Sequence, residues 1–423
     1  MKIKITPKGL IFFQIIFNVL YKMLEIVNIG TDKLNYVSHF VAIYLLFFLL
    51  TDRSKKMEKY IKSEIVITIM LLVITIIGIF VVPLCYSDIL INMSLGTYLK
   101  GFLNFYRFFV FFFAVIEYLE FDDIKEMFTI LGKIFVLNVV LCCFEYFVMG
   151  CEQDYLGGVF GVKIGGNVGL NILLCFFSAF YALKYVNKKT SLLFFVLIEI
   201  VCVLLATMAE LKLYYIELVV IMIMAVLLVK PNINTFKIIF SSVLILGVGL
   251  YVLSVIFPEQ LRVFVDSDTF SKYTGGSYVR GSLGRVTMFQ ELEGYFFQDY
   301  PIVRVFGFGI GTFDPTSSGY WAKTYSYLRA GWFGNSSILL NFGYIGLALI
   351  YVFYINLARK ALVWRRKFEE EEKLYVDFSL IMIMIMLLSL WYNTTVITGT
   401  TAYLLYFVIA IPTILYKRNM SKS

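Results

Sequence analysis

Twelve apolar blocks, each about the length of a membrane-crossing helix, recur along this chain and leave it few ways to fold. A helix rises 1.5 Å per residue, so about twenty apolar residues are needed to cross a hydrocarbon layer. Such blocks fall near residues 10–30, 34–50, 65–84, 98–119, 127–149, 168–186, 191–208, 211–229, 236–257, 332–357, 375–393 and 399–416. Two longer runs are divided to reach that pattern. Ser191 to Val229 breaks at "TMAELK" and Tyr375 to Tyr416 at "NTTVITGT", each run being about twice the spanning length with polar residues at its middle. With 60% apolar residues, 42 Phe, 30 Tyr and 16% charged residues, a water-soluble globule is excluded. The expected fold is all-α and polytopic, with about twelve transmembrane helices in a single integral membrane domain over residues 1–423.

Basic residues orient this arrangement, because short cytoplasmic loops are enriched in Lys and Arg. With both termini cytoplasmic, the inside segments, among them "TDRSKKMEKYIK" and "ARKALVWRRKFEEEEK", carry about 23 Lys and Arg. The short outside loops carry Lys33, Lys100, Lys163 and Lys212. The net charge of +8 is then a topology signal that calls for no nucleic acid. The first span has no small-residue cleavage site after it and is read as a retained helix. Six Cys without metal-like spacing and a lone His39, read as an interior hydrogen-bonding residue, imply neither a metal nor a cofactor.

One long connection remains, residues 258–331, on the outer face. Loops beyond about 15 residues without structure are uncommon unless they are functional. In "LGRVTMFQELEGYFFQ", Val286, Phe289, Leu292 and Phe296 recur at helical spacing and predict an amphipathic helix near the membrane plane, opened by Arg285. Arg280 and Arg285 flank "GSLG" and can converge on one anion, since guanidinium forks match phosphate oxygens. Gly307, Gly309 and Gly311 allow close backbone approach, either to a ligand or in a packed turn. The rings in "SSGYWAKTYSYLRAGW", Trp321 included, offer sugar-stacking faces or an interfacial belt. Inside the spans, charge is costly and marks cavities or pairs. Glu210, Tyr214 and Glu217 share a helical face with Lys212 on another, and Arg107, Glu117, Lys133, Glu145 and Glu199 are further candidates.

The layout resembles the O-antigen and capsular polysaccharide polymerases (Wzy-type), which are related to the O-antigen ligases. Four features carry the resemblance across most of the chain: the span layout with one late outer loop, "GGVFGVKIGGNVGLNILL", "LLATMAELKLYYIEL", and the order arginine, "VFGFGIGTF", "GNSSILLNFGYIGLAL". It implies a membrane-embedded C-type glycosyltransferase of the bacterial cytoplasmic membrane, serving O-antigen, capsule or exopolysaccharide synthesis. The growing glycan on undecaprenyl pyrophosphate would be transferred to a lipid-linked repeat unit, with a flippase and a chain-length regulator as pathway partners. Arg280, Arg285 and Lys212 would neutralise the pyrophosphate leaving group, and Glu210 or Glu291 would accept the acceptor proton. Arg329, Gly309, Gly311, Arg107 and Trp321 would contact substrate. The ligase relatives carry a His in the outer loop, whereas this region reads "SYLRAGWFGNSS". A ligase-like transferase and a lipid-linked oligosaccharide flippase are the alternatives. The flippase would be expected to show matching halves, which this sequence lacks.

Overall fold

A computed structural model describes residues 6–52, 58–92, 94–275, 281–314 and 319–422. Among these residues there is no β-strand. The first part comprises α1 (Pro7–Leu20), extended by a 3-10 segment (Tyr21–Val27), then α2 (Asn35–Thr51) and α3 (Glu58–Ile76). A π turn (Ile77–Val81) carries α3 into α4 (Val82–Cys85), and α5 (Ser87–Ile91) follows. Next come α6 (Leu95–Tyr118), α7 (Phe121–Phe147), α8 (Gly166–Val186), α9 (Leu192–Met208), α10 (Lys212–Leu228) and α11 (Ile233–Ile256). The long connection holds α12 (Pro258–Val265), α13 (Ser267–Thr274), α14 (Met288–Leu292), α15 (Pro301–Phe306) and α16 (Tyr320–Thr324). The chain closes with α17 (Gly334–Trp364), α18 (Glu370–Tyr392) and α19 (Ala402–Lys422).

Among the described residues, eight helical stretches are long and apolar enough to cross a membrane: Pro7–Val27, Tyr60–Cys85, Leu95–Tyr118, Phe121–Phe147, Gly166–Val186, Ile233–Val252, Gly334–Lys367 and Glu370–Tyr392. Asn35–Thr51 and Leu192–Met208 are apolar but shorter. This is a helical, multi-pass membrane protein. Both long apolar runs are broken at their polar middles. Between α9 and α10 the chain reverses through Ala209–Leu211, with Glu210 in the left-handed region (φ 51°) and the Lys212 N–H donating to the Glu210 carbonyl at 2.9 Å. The second run breaks between Tyr392 and Ala402, where the Asn393 side chain accepts from the Thr395 N–H.

Burial sorts the helices into centre and rim. In α8 and α18, 83% and 78% of the apolar stretch is buried, so these two form the axis, packed with α10 and α19; α3 and α11, at 33%, lie at the rim. The axis is aromatic, with Phe128, Phe176, Phe180 and Phe378 in edge and tilted contacts. Lys8 pairs with Asp123 at the start of α7, and Lys417 pairs with Glu117 at the end of α6. These carboxylates lie on either side of the short α6–α7 link, so both ends of the described chain share one face, called here the terminal face.

The opposite, loop face is closed by the long connection, which is folded around its own aromatic core. Phe296, Phe308, Phe313 and Trp321 are all buried there, with Tyr325 stacked on Trp321 at 5.7 Å. This core is tied to the bundle by the Tyr300 hydroxyl on the Asp88 carboxylate and by the Ile302 N–H on the Tyr86 hydroxyl. Docking against α17 is tight. The helix is interrupted at Gly343 (φ 66°), where a Cβ would stand 2.2 Å from the Val305 carbonyl carbon, so only glycine lets α15 settle into the break. The amphipathic helix differs from expectation. It begins at Met288, buries Leu292 and Phe296 in protein contacts and leaves Val286 exposed, because the loop's own core offers a closer apolar partner than the membrane plane.

Candidate functional site

Two adjoining features make up the loop face: a cluster around Lys212 and Arg285, and a polar cavity. The cluster starts from the glycine- and asparagine-rich segment before α8. The Asn167 amide donates to the Asp154 carboxylate (2.9 Å) and to the Ala209 carbonyl (3.4 Å), which pins the α9–α10 turn against this segment. Lys212, at the first position of α10, then lies within electrostatic reach of Glu210, Asp154 and Arg285. Glu210 projects from the left-handed turn and is hydrogen-bonded by Gln153. Burial holds its carboxyl above the ordinary carboxylate range against the opposing pull of Lys212.

Arg285 comes from the long connection. Its guanidinium lies 4.5 Å from the centroid of the Tyr392 ring and 5.5 Å from that of Phe333. The turn that carries it is fixed by backbone bonds from Leu283 N–H to the Leu328 carbonyl (3.0 Å) and from Val286 N–H to the Thr274 carbonyl (3.2 Å). Glu291 clasps the same turn, accepting from the Gly284 N–H (3.3 Å) and the Thr287 hydroxyl. Its carboxylate thus clasps the turn that carries Arg285. Arg329 (φ 52°) follows Leu328 directly and covers the Trp332 ring at 4.8 Å. Arg280 lies outside the described residues.

Phe333 and Tyr392 are each two residues from the wall of a cavity of about 240 Å³. Asn35, Asn104, Asp314, Ser337, Asn341 and Thr398 give that wall amide, carboxylate and hydroxyl groups. Asn104 donates to the Asp314 carboxylate at 3.4 Å, and the Asn341 oxygen receives the Gly311 N–H at 2.9 Å. Behind the wall stands Arg107, 3% exposed, donating to the Asn35 side-chain oxygen (2.9 Å) and the Thr398 carbonyl (3.2 Å) and lying over Phe108 and Tyr403. Among the described residues it forms no ion pair. Arg107 thus holds two wall residues in place and does not itself line the cavity.

Three expected contacts have other roles. A Cβ at Gly101 would come 2.5 Å from the Gly311 Cα, and Gly309 lies against Gly78 in the same way. The glycine array is thus a seam between the loop, α6 and the π turn after α3, although Gly311 also borders the cavity. Trp321 is only 4% exposed in the loop's aromatic core, so neither a sugar-stacking nor a belt role fits it. Deeper in the bundle, Glu145 accepts from the Gly157 and Gly158 N–H groups, Glu199 from Ser178, and Glu217 from Asn171, Cys175 and Ser389. Tyr214 bonds Ser178 and does not reach the crevice. Among the described residues, no group of three His, Cys, Asp or Glu side chains is arranged to hold a metal ion.

The cavity amides and Asp314 escaped the sequence reading because they come from four separate segments. The clearest available signal was the run of small polar residues "GNSS" with Asn341 at the start of an otherwise apolar span. Neither a protein-family model nor a curated relative matches this chain.

Proposed function

We propose that the chain is a polysaccharide repeat-unit polymerase. In this reading all twelve long helices cross the bacterial cytoplasmic membrane, both termini are cytoplasmic and the loop face looks outward. The observation that carries the proposal is a cavity walled by amides, hydroxyls and a carboxylate, with Arg285 held on the rings of Phe333 and Tyr392 two residues from its wall and Lys212, 73 residues away in sequence, within electrostatic reach of that arginine. Cations at a membrane-level crevice suit a lipid pyrophosphate, and the polar wall suits sugar hydroxyls.

In the reaction, a hydroxyl oxygen of the lipid-linked acceptor unit attacks the anomeric carbon of the glycan on undecaprenyl pyrophosphate. The bond from that carbon to the phosphate oxygen breaks, and undecaprenyl pyrophosphate leaves with the electron pair. Lys212 and Arg285 balance the charge that grows on the leaving oxygen, and Arg329 extends the same cationic rim. Glu210 takes the acceptor proton, a role suited to a carboxyl made more basic by burial. Asp314, Asn104 and Asn341 orient the sugar. No nucleotide or metal enters the scheme.

The test is incubation of the purified protein with a defined undecaprenyl-pyrophosphate repeat unit, with the products resolved on a gel. A ladder that disappears in Arg285→Ala and Lys212→Ala supports the proposal. Unchanged substrate that the protein instead moves across a liposome bilayer identifies a transporter, and a single transfer without a ladder identifies a ligase-like enzyme.

A further inference from the structure

We propose that the crevice between α3, α17 and α19 on the terminal face binds the headgroup of an anionic phospholipid. This cavity, of about 460 Å³, is walled by Tyr60, Lys62, Arg359, Lys360, Trp364 and Tyr416, with no carboxylate in its lining among the described residues. Behind it, Glu64 is fully buried and already engaged by Lys360, by the Asn356 amide (2.8 Å) and by the Ser63 hydroxyl (3.0 Å). Lys360 is thereby neutralised, but Lys62 and Arg359 are not. Arg359 donates to the Asn356 side-chain oxygen at 3.2 Å, and neither cation has an ion pair among the described residues. Two unmatched positive charges therefore face one cavity.

Depth and shape point to a lipid. Tyr60 begins one apolar span and Trp364 stands near the end of another, which sets the cavity at headgroup level. Trp364 and Tyr416 stack at 4.1 Å and 7°, a rigid wall with Tyr60 edge-on to it at 5.7 Å. Toward the membrane interior, α3 and α17 expose Val66, Ile69, Val352 and Ile355, an apolar track for acyl chains below the cations. Basic pockets between spans, flanked by apolar helix faces, are suited to anionic lipid headgroups. This site is independent of the polymerase reading.

The test is native mass spectrometry of the detergent-purified protein with equimolar phosphatidylglycerol and phosphatidylcholine. The wild type should retain phosphatidylglycerol at least about tenfold better, and Lys62→Ala/Arg359→Ala should lose that preference. Lys188→Ala, a change at an exposed lysine outside the crevice, should keep it. Lys360 is left in place because it holds Glu64, and the single variants Lys62→Gln and Arg359→Gln serve if the double variant does not fold. Equal retention of the two lipids, a double variant that keeps the preference, or displacement of phosphatidylglycerol by inorganic phosphate alone would overturn the proposal.

Discussion

At the terminal face, cations meet carboxylates: Lys8 meets Asp123, Lys125 meets Glu371, Lys360 meets Glu64, Arg365 meets Asp377 and Arg418 meets Glu372. At the centre of the loop face, rings and neutral groups take a larger part. Arg107 is held by an amide, a carbonyl and two rings, and Arg285 lies on Tyr392 and Phe333. Two ion pairs described on that side, Lys163 with Glu25 and Arg304 with Glu293, involve cations that are more than half exposed. The difference teaches how charge is used. A cation matched by a carboxylate fixes helices to one another, whereas Arg107, which has no ion pair among the described residues, is held by neutral groups and keeps its field unneutralised.

The comparison can be broken by experiment. Glu64→Ala removes one partner of a buried pair and should cost about 3 kcal/mol or more of stability, read as a lower melting temperature in detergent, without changing the activity of the folded fraction. Arg285→Ala should weigh the other way: polymer formation falls by roughly 10²–10³-fold while melting drops by no more than about 2 kcal/mol. If Arg285→Ala melted as low as Glu64→Ala, the two faces would not differ in kind. Gly311→Ala places a Cβ 2.9 Å from the Gly101 Cα at φ 83° and should cost about 1–3 kcal/mol, lowering melting and activity together.

A gentler probe is acidity. The Glu210 carboxyl is raised by burial, so a rate that needs it ionised is lost as pH falls through a value above the ordinary carboxylate pKa of about 4.3. Glu210→Gln should lower the rate and erase that acid limb. Stability runs the other way. With the folded-state value raised, protonation is favoured in the fold, and this group's contribution to stability grows as pH falls. The smallest effect belongs to Lys125→Ala, whose partner Glu371 is half exposed; thermal melting should move by less than about 1 kcal/mol.

How much of this was legible beforehand differs by feature. Eight of the twelve expected spans stand, among the described residues, as helices long and apolar enough to cross, readable because membrane crossing imposes a local period and length, and the break at "TMAELK" announced itself by charges that no apolar span carries cheaply. Lys212 and Arg285 were each visible, and their meeting rested on the order of segments around one loop. The glycines at 309 and 311 were visible as a motif but not in purpose, since their partners Gly78 and Gly101 lie more than 200 residues away. Trp321 misled for a related reason. An aromatic residue in an outer loop has the same composition signal whether it faces lipid, sugar or, as here, its own core.

The glycine seam also sets a schedule for biogenesis. Gly78 and Gly101 leave the ribosome early, their loop partners Gly309 and Gly311 about 210 to 230 residues later, and the break at Gly343 that receives α15 later still. At about 5–20 residues per second, Gly101 waits roughly ten to fifty seconds before Gly343 has been synthesised. Until then the nascent chain has its lipid-facing helices but no closed crevice, so a chain arrested before α17 would be membrane-inserted and inert.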